Sequence, residues 1–449
     1  MPEQPNRSNT TVALRVERMS YGPDAIAHTD EGKTVFVSGG AVPGDLVEAE
    51  LVREKDSFAN ARLVKVVEPS ASRVDAPCPY VDLCGGCPWA HLSREAQLAE
   101  KRDGVVGALT RIGHMDATRA EELVRPIERP SDDWGYRNKV ELAVAYERGR
   151  ASVGMHAAGG SGVIKVAACP LLDSRHQKVV KAVSGALGYL GGSHDLGIER
   201  VGIRASRRTK ELEVALWTSP GAFPRGQVAK VLGDATKASS VVRVLSKGPQ
   251  KARRVSGVER LSGKGCWAER IAGQQMLLSA PSFFQVNTVG AERLVELVLE
   301  GLAPEEDDEA MDLYCGAGTF TLPLAQACGF VSAVESYGPA VRDLRRNLEN
   351  NGLDNVDAIG GDAGREFPDT DADVIVVDPP RAGLAEDVVR QLSEQPARAI
   401  AYVSCDPATL ARDLARFEQE GTFSPTSVTP VDLFPQTFHV ENVALLRRA

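Results

Sequence analysis

A chain of 449 residues with 43% hydrophobic and 25% charged residues is too long for a single core and predicts two to four globular domains. No run of about eighteen apolar residues occurs and the first ten residues carry no cleavage pattern, which argues against a membrane span or a signal peptide and predicts a cytoplasmic protein with no membrane partner. The net charge of −9 argues against a uniformly basic nucleic-acid binder, but residues 200–270 hold sixteen Lys/Arg against five Asp/Glu, a local balance of +11. Such a segment either supplies phosphate contacts or forms a solvated face.

In chain order, residues 1–10 predict a flexible N-terminus. Residues 11–69 give short β segments (TVALRVERM, KTVFVSG, DLVEAELV, ARLVKVVE) broken by clusters such as Tyr21-Gly22-Pro23-Asp24, which predicts a small barrel that binds RNA or pads an interface. Cys78, Cys84 and Cys87 follow within ten positions. In a reducing compartment such a group points to a metal rather than to disulfides, yet three thiols do not close a tetrahedral site. Residues 93–113 read as a helix with Ser93 as N-cap and Gly113 at its end, a helix free to pack on another domain. Residues 70–275 form a mixed, β-rich central domain that includes Tyr136-Arg137-Asn138-Lys139, an RNA contact or plain strand decoration. From 276 to 449 apolar strands (AMDLYCGAG, FVSAVES, VDAIGGD, ADVIVVDPP, RAIAYVSC) alternate with helices, which predicts a doubly wound α/β domain.

Within that domain Gly316-Ala-Gly318-Thr319 follows a strand and opens a helix, and Glu335 ends the next strand, where a carboxylate can take both ribose hydroxyls. Thr321 replaces the third glycine of a dinucleotide fingerprint, so a ligand without phosphates, S-adenosylmethionine, fits better than NAD. Asp362 and Asp378 end two further strands. Cys405 stands where the fifth strand meets a helix that Asp406 caps and Pro407 begins, and the helix end favours a thiolate there. For Cys266, Cys315 and Cys328 the better reading is burial as small apolar side chains.

Cys78-x5-Cys84-Gly-Gly-Cys87, Ser282-Phe-Phe-Gln285-Val-Asn287, Asp312-Leu-Tyr-Cys-Gly, Asp378-Pro-Pro-Arg381, Ser404-Cys405-Asp-Pro407 and Phe434-Pro-Gln-Thr-Phe-His439-Val-Glu441 occur in an order that resembles the RNA 5-methyluridine methyltransferase family over nearly the whole chain. The resemblance implies a Rossmann-like class I methyltransferase domain and an N-terminal OB-like TRAM barrel. It implies that Cys405 is the nucleophile toward C6 of uracil and Glu441 the base that removes the C5 proton. It assigns the S-adenosylmethionine contacts to Gln285, Tyr314, Glu335 and Asp378, and less firmly to Thr319 and Asp362. The family carries Asn where this chain has Asp406, a carboxylate that opposes the thiolate unless capping directs its charge into the helix.

The resemblance also supplies a fourth thiol, Cys169, so that Cys78, Cys84, Cys87 and Cys169 would hold a [4Fe–4S] cluster. Donor chemistry alone leaves zinc equally open, although the paired C-x2-C knuckles usual for zinc are missing. Either metal would organise the fold without a redox step. The expected partner is RNA, with ribosomal (23S) RNA favoured over tRNA because the TRAM barrel and cluster occur together; no stable protein partner is implied. The alternatives are a tRNA enzyme, a cytosine-C5 methyltransferase, to which Glu441-Asn442-Val443 is similar, and a non-catalytic RNA-binding factor on the same scaffold. The cytosine enzymes carry their nucleophile as Pro-Cys after the strand that here ends in Asp378-Pro-Pro, and no cysteine stands there.

Overall fold

The computed structural model describes residues 10–147, 150–160, 162–191, 195–248 and 254–449. The stretch expected to be flexible lies outside them except for Thr10, whose carbonyl accepts a hydrogen bond from Leu51 N at 3.0 Å.

Strands β1 (Thr11–Met19), β2 (Ala25–His28), β3 (Thr34–Ser38), β4 (Leu46–Glu54) and β5 (Phe58–Glu68) close into a barrel of order 1-2-3-5-4. Period-two alternation turns Leu14, Val16, Val35, Val37, Val47 and Ala49 inward, and Trp89 and Leu92 from beyond the cysteine segment join the same core. Buried Asp45 ties the exit of the barrel together by accepting from Arg73 and from the backbone N–H of Val42 and Ser70.

Helix α1 (Arg94–Arg111) starts where the Ser93 hydroxyl accepts from Ala96 N, with Glu95 in its first turn and Arg111 in its last. Its face of Val105, Val106, Ala108 and Leu109 packs into the catalytic core together with α2 (Ala117–Leu123). The central domain is one seven-stranded sheet built from β6 (Lys139–Glu147), β7 (Arg150–His156), β8 (Val163–Ile164), then α3 (Val179–Leu190), β9 (Ile198–Ala205), β10 (Leu212–Thr218), α4 (Arg225–Thr236), β11 (Ser240–Lys247) and β12 (Arg254–Gly263), in the order 12-11-10-9-6-7-8. Many cations of the basic segment are spent inside it. Arg204 and Arg243 are buried, Arg208 pairs with Glu292, Arg225 with Glu259 and Lys264 with Glu211, so the local balance of +11 overstates the charge these residues leave free.

The hairpin β13 (Trp267–Ile271) and β14 (Gln274–Leu278) buries Trp267, Ile271, Met276 and Leu278 in the core of the catalytic domain, so a boundary at 275/276 falls inside it. Beyond it come α5 (Thr288–Leu302), β15 (Glu309–Leu313), α6 (Thr321–Ala327), β16 (Phe330–Glu335), α7 (Gly338–Asn351), β17 (Val356–Gly360), β18 (Val374–Val377), α8 (Glu386–Glu394), β19 (Ala399–Ser404), α9 (Pro407–Glu420), β20 (Phe423–Val431) and β21 (Glu441–Arg448). Five parallel strands and an antiparallel pair form one sheet of order 17-16-15-18-19-21-20. Its central strands are buried on both faces, which is why Val374–Val377 reads as an unbroken apolar run. The carboxyl ends of β15, β16, β18 and β19 therefore open on one edge, the usual ligand crevice of such sheets. Among the described residues no helix is long and apolar enough to cross a membrane.

Candidate active site

The donor side of the crevice is built by the turn after β15. Tyr314, Gly316 and Gly318 all have positive φ (65°, 59° and 102°), and the turn directs Gly316 N to Glu335 Oε2 at 3.0 Å. The other Glu335 oxygen accepts from Tyr337 N. Asp378, at the end of β18, is pushed up to about 7 by burial and by Glu335. Asp312 beneath it is pushed up to about 8 by burial, with Asp378 and Glu335 adding to the effect, and is held by the Thr321 hydroxyl at 2.6 Å. The Tyr314 phenol is pushed up to about 12 by burial and by Asp362, which lies exposed after β17 and accepts from Gly364 N. Thr319 is half-buried just before α6. Gln285 is buried on the segment leading to α5, its carbonyl held by Asn138 Nδ2 at 2.9 Å.

Cys405 is half-buried at the β19–α9 corner. Its thiol is pushed up to about 11 by burial and then by Glu441, against the opposing pull of Arg381, with smaller upward pushes from Asp378 and Asp406. The helix end expected to favour a thiolate is thus outweighed by burial and nearby carboxyl groups. Asp406 turns its carboxylate into the helix, accepting from Ala408 N at 2.9 Å and Thr409 N at 3.2 Å. That is the capping arrangement that keeps its charge from dominating Cys405. Glu441, first residue of β21, is 3% exposed, and its carboxyl is held well above the usual range by burial and by Asp378.

Residues 432–440 carry Glu441 and are gripped from the N-terminal half. Gln97 and Gln436 pair through side chain and backbone at 3.0 and 2.9 Å, Trp89 N donates to Gln436 O, and Tyr136 Oη donates to Pro435 O. Lys101 Nζ reaches buried Asp432 at 2.6 Å, and Arg94 pairs with the same carboxylate. Arg381 donates to His439 Nδ1 at 3.1 Å; burial and Arg381 push that imidazole down to about 4, so it is neutral. Four groups at the site had no role in the sequence reading: Asp312, Arg381, His439 and Tyr21. The first three lie within quoted motifs; Tyr21 had no local signal.

Gln285 Oε1, Asp312 Oδ1, Glu441 Oε2 and Asn442 Oδ1 are buried without a hydrogen-bond partner. Each such atom costs about 1–3 kcal/mol, a deficit that polar ligands would relieve. A nucleoside-bearing methyl donor and an extruded base offer the matching donors, so the residues fit both.

Cys78, Cys84, Cys87 and Cys169 meet at the edge of the central sheet. Cys84 bridges to Ala157, Gly85 N donates to His156 O, and Cys84 N donates to Tyr80 O. Cys87 is pushed up to about 12 by burial and then by Cys169, with Arg137 opposing, and Cys84 and Cys78 also act on it. The other three thiols therefore lie within electrostatic reach of Cys87. Among the described residues no group of three or more His, Cys, Asp and Glu is drawn together closely enough to hold a metal ion as it stands. Arg137 links this region to the catalytic domain, its backbone bridging to Leu172 on one side and Asn287 on the other.

The tRNA (uracil-5-)-methyltransferase family matches residues 269–370 and 362–449. An RNA methyltransferase of Thermosynechococcus vestitus is 33% identical over 449 residues, covering 98% of each chain. One of Clostridium tetani is 32% identical over 457 residues, covering 98% of this chain and 97% of the relative. Among solved structures, the Pyrococcus abyssi tRNA (uracil-54, C5)-methyltransferase in complex with S-adenosyl-L-homocysteine shares the fold, with a TM-score of 0.76 at 24% identity over 97% of this chain and 100% of that one. The chain belongs to the tRNA (uracil-5-)-methyltransferase family and is an S-adenosylmethionine-dependent RNA methyltransferase.

Proposed function

We propose that the enzyme methylates C5 of uracil in ribosomal RNA, with 23S rRNA the first candidate, through a transient bond from Cys405 to C6. The observation that carries this reading is the closeness of Cys405, Glu441, Arg381 and Asp378, near enough for Glu441, Arg381 and Asp378 to act on the Cys405 thiol and for Asp378 and Arg381 to act on Glu441. C5 of uracil is a weak nucleophile. Addition of the Cys405 thiolate to C6 turns the ring into an enolate whose electron density lies at C5. Bound S-adenosylmethionine supplies an electrophilic methyl group on a sulfonium. C5 takes that methyl, S-adenosylhomocysteine is left, Glu441 accepts the C5 proton, and the C6–S bond breaks to return the thiolate. Arg381 is the cation that favours the ionised sulfur. Gln285, Tyr314, Glu335 and Asp378, with Thr319 and Asp362, are the side chains we assign to the donor.

A target base reaches the Cys405 corner only when it leaves its stack, so an unpaired or extruded uridine is the substrate form. The barrel beside the four-thiol segment favours ribosomal RNA. The tRNA alternative has its own support in the family description and in the tRNA specificity of the P. abyssi enzyme. Mass-spectrometric mapping of 5-methyluridine in 23S rRNA and tRNA from cells lacking the protein separates the two. Loss at an rRNA uridine is the expected result, and loss confined to tRNA reverses the assignment.

Cys78, Cys84, Cys87 and Cys169 form a set we assign to a [4Fe–4S] cluster, which would tie the segment carrying Trp89 to the central sheet. Four half-buried thiols, three of them near enough to act on Cys87, supply the donor chemistry of such a cluster, and Arg137 supplies a counter-charge. Protein purified without oxygen should carry about four irons per chain; about one zinc and no iron would give the site to zinc.

A further inference from the structure

The turn between β1 and β2 is far from the catalytic corner in sequence but not in space. Ser20 closes the turn by donating from its N and Oγ to Asp24 O, at 3.0 and 2.5 Å. Trp89 Nε1 pins Gly22 O at 3.0 Å, and Glu100 holds Met19 N at 2.8 Å. So fixed, the turn delivers the Tyr21 hydroxyl to the carbonyl of Cys405 itself, at 3.2 Å across 384 residues. The Tyr21 ring meets Phe438 edge to face, with centroids 5.9 Å apart, Phe438 lies 4.1 Å from the His439 ring, and His439 is held by Arg381. A chain of aromatic faces thus runs from the barrel to the cation beside the reactive thiol.

Two features separate this from ordinary domain docking. The Tyr21 residue remains 44% exposed although its hydroxyl reaches the Cys405 carbonyl, so part of it is left open to solvent beside the catalytic corner. The groups that act on its hydroxyl, after burial, are Asp406, Cys405, Arg381 and Glu441, all from the catalytic corner and none from the barrel. Burial and the neighbouring acids hold the phenol protonated, so it remains a donor throughout the working pH range. A pyrimidine that leaves its helix gives up stacking on both sides, and a partly open aromatic side chain beside the catalytic corner replaces part of it.

We propose that Tyr21 is a wall of the pocket that receives the target nucleobase, so that the N-terminal barrel completes the active site. The proposal rests on the reading of Cys405 as the nucleophile. The ligand is the base of an unpaired uridine in RNA, taken against the ring of Tyr21.

The test compares full-length wild type, Tyr21→Ala and Tyr21→Phe for affinity toward a uridine-bearing RNA loop, rate of covalent adduct formation with the same loop carrying 5-fluorouridine, affinity for S-adenosylhomocysteine, and thermal midpoint. Tyr21→Ala should weaken RNA half-saturation about tenfold, the effect of one lost base–aromatic stack, while the nucleoside ligand and the midpoint are unaffected. Tyr21→Phe should recover most of that loss. RNA affinity unchanged in Tyr21→Ala overturns the proposal, as does a Tyr21→Phe variant as poor as Tyr21→Ala, or a loss that tracks a fall in midpoint. If wild type forms no adduct at all, the reading of Cys405 fails, while the RNA affinities still report on Tyr21.

Discussion

Glu441→Gln should convert the enzyme into one that stalls with RNA attached. Glutamine keeps the shape of the buried side chain but cannot accept the C5 proton, so the C6–S bond has no route to break once methyl transfer is complete. Turnover should fall by roughly 10²- to 10⁴-fold, the range for loss of a positioned base. A methylated protein–RNA species that survives denaturing electrophoresis should accumulate in step with that loss. The carboxyl is buried and held well above its usual range, which makes it a strong base once ionised and leaves Oε2 with no protein partner to compete for the proton. Full turnover by Glu441→Gln would give the proton to another group, with Asp378 the nearest candidate by its effect on Glu441.

The second large effect is on stability. Asp432 is fully buried and carries both Lys101, at 2.6 Å, and Arg94, neither of which has appreciable exposure. Asp432→Ala leaves buried Lys101 without a counter-charge and Arg94 with Asp133 alone, a change that costs about 3–5 kcal/mol. Heat denaturation followed by circular dichroism should show the transition of the catalytic half lowered by roughly 10 °C. Lys101→Met should do less, because the Arg94–Asp432 pair remains. Since Asp432 begins the stretch that leads to Glu441, its loss should also depress methylation below the melting range. Equal midpoints for the wild type and Asp432→Ala would mean that water reaches this cluster.

The catalytic half was legible because its physics is local. Parallel strands buried on both faces appear as apolar runs, each ending in an acid or a glycine turn, and Val341, Leu344 and Leu348 with Gly352 mark out α7 from start to C-cap. Ser93 and Asp406 could be read as N-caps for the same reason, since a cap acts within three residues. The central sheet was not legible. Its pairs join distant segments, β6 lying against β9 with Lys139 opposite Arg204, and periodicity carries no sign of such a partner. Nor does periodicity record the contacts that complete the site. Tyr136 to Pro435 spans 299 residues and Gln97 to Gln436 spans 339, isolated contacts with no repeating pattern. The basic segment shows the same limit, since composition counts charges but not the carboxylates that fold against them.

The most direct test of the account is the mass of the peptide containing Cys405 after wild-type protein is incubated with S-adenosylmethionine and RNA carrying 5-fluorouridine. Fluorine at C5 cannot leave as a cation, so the sulfur–carbon bond should persist on that peptide and be missing from Cys405→Ala. Because burial pushes the thiol up to about 11, the rate of its formation should climb with pH, by about tenfold per unit on the way up from neutral. RNA bound and S-adenosylmethionine bound with no mass added at Cys405, or the same mass found on another cysteine, would contradict it.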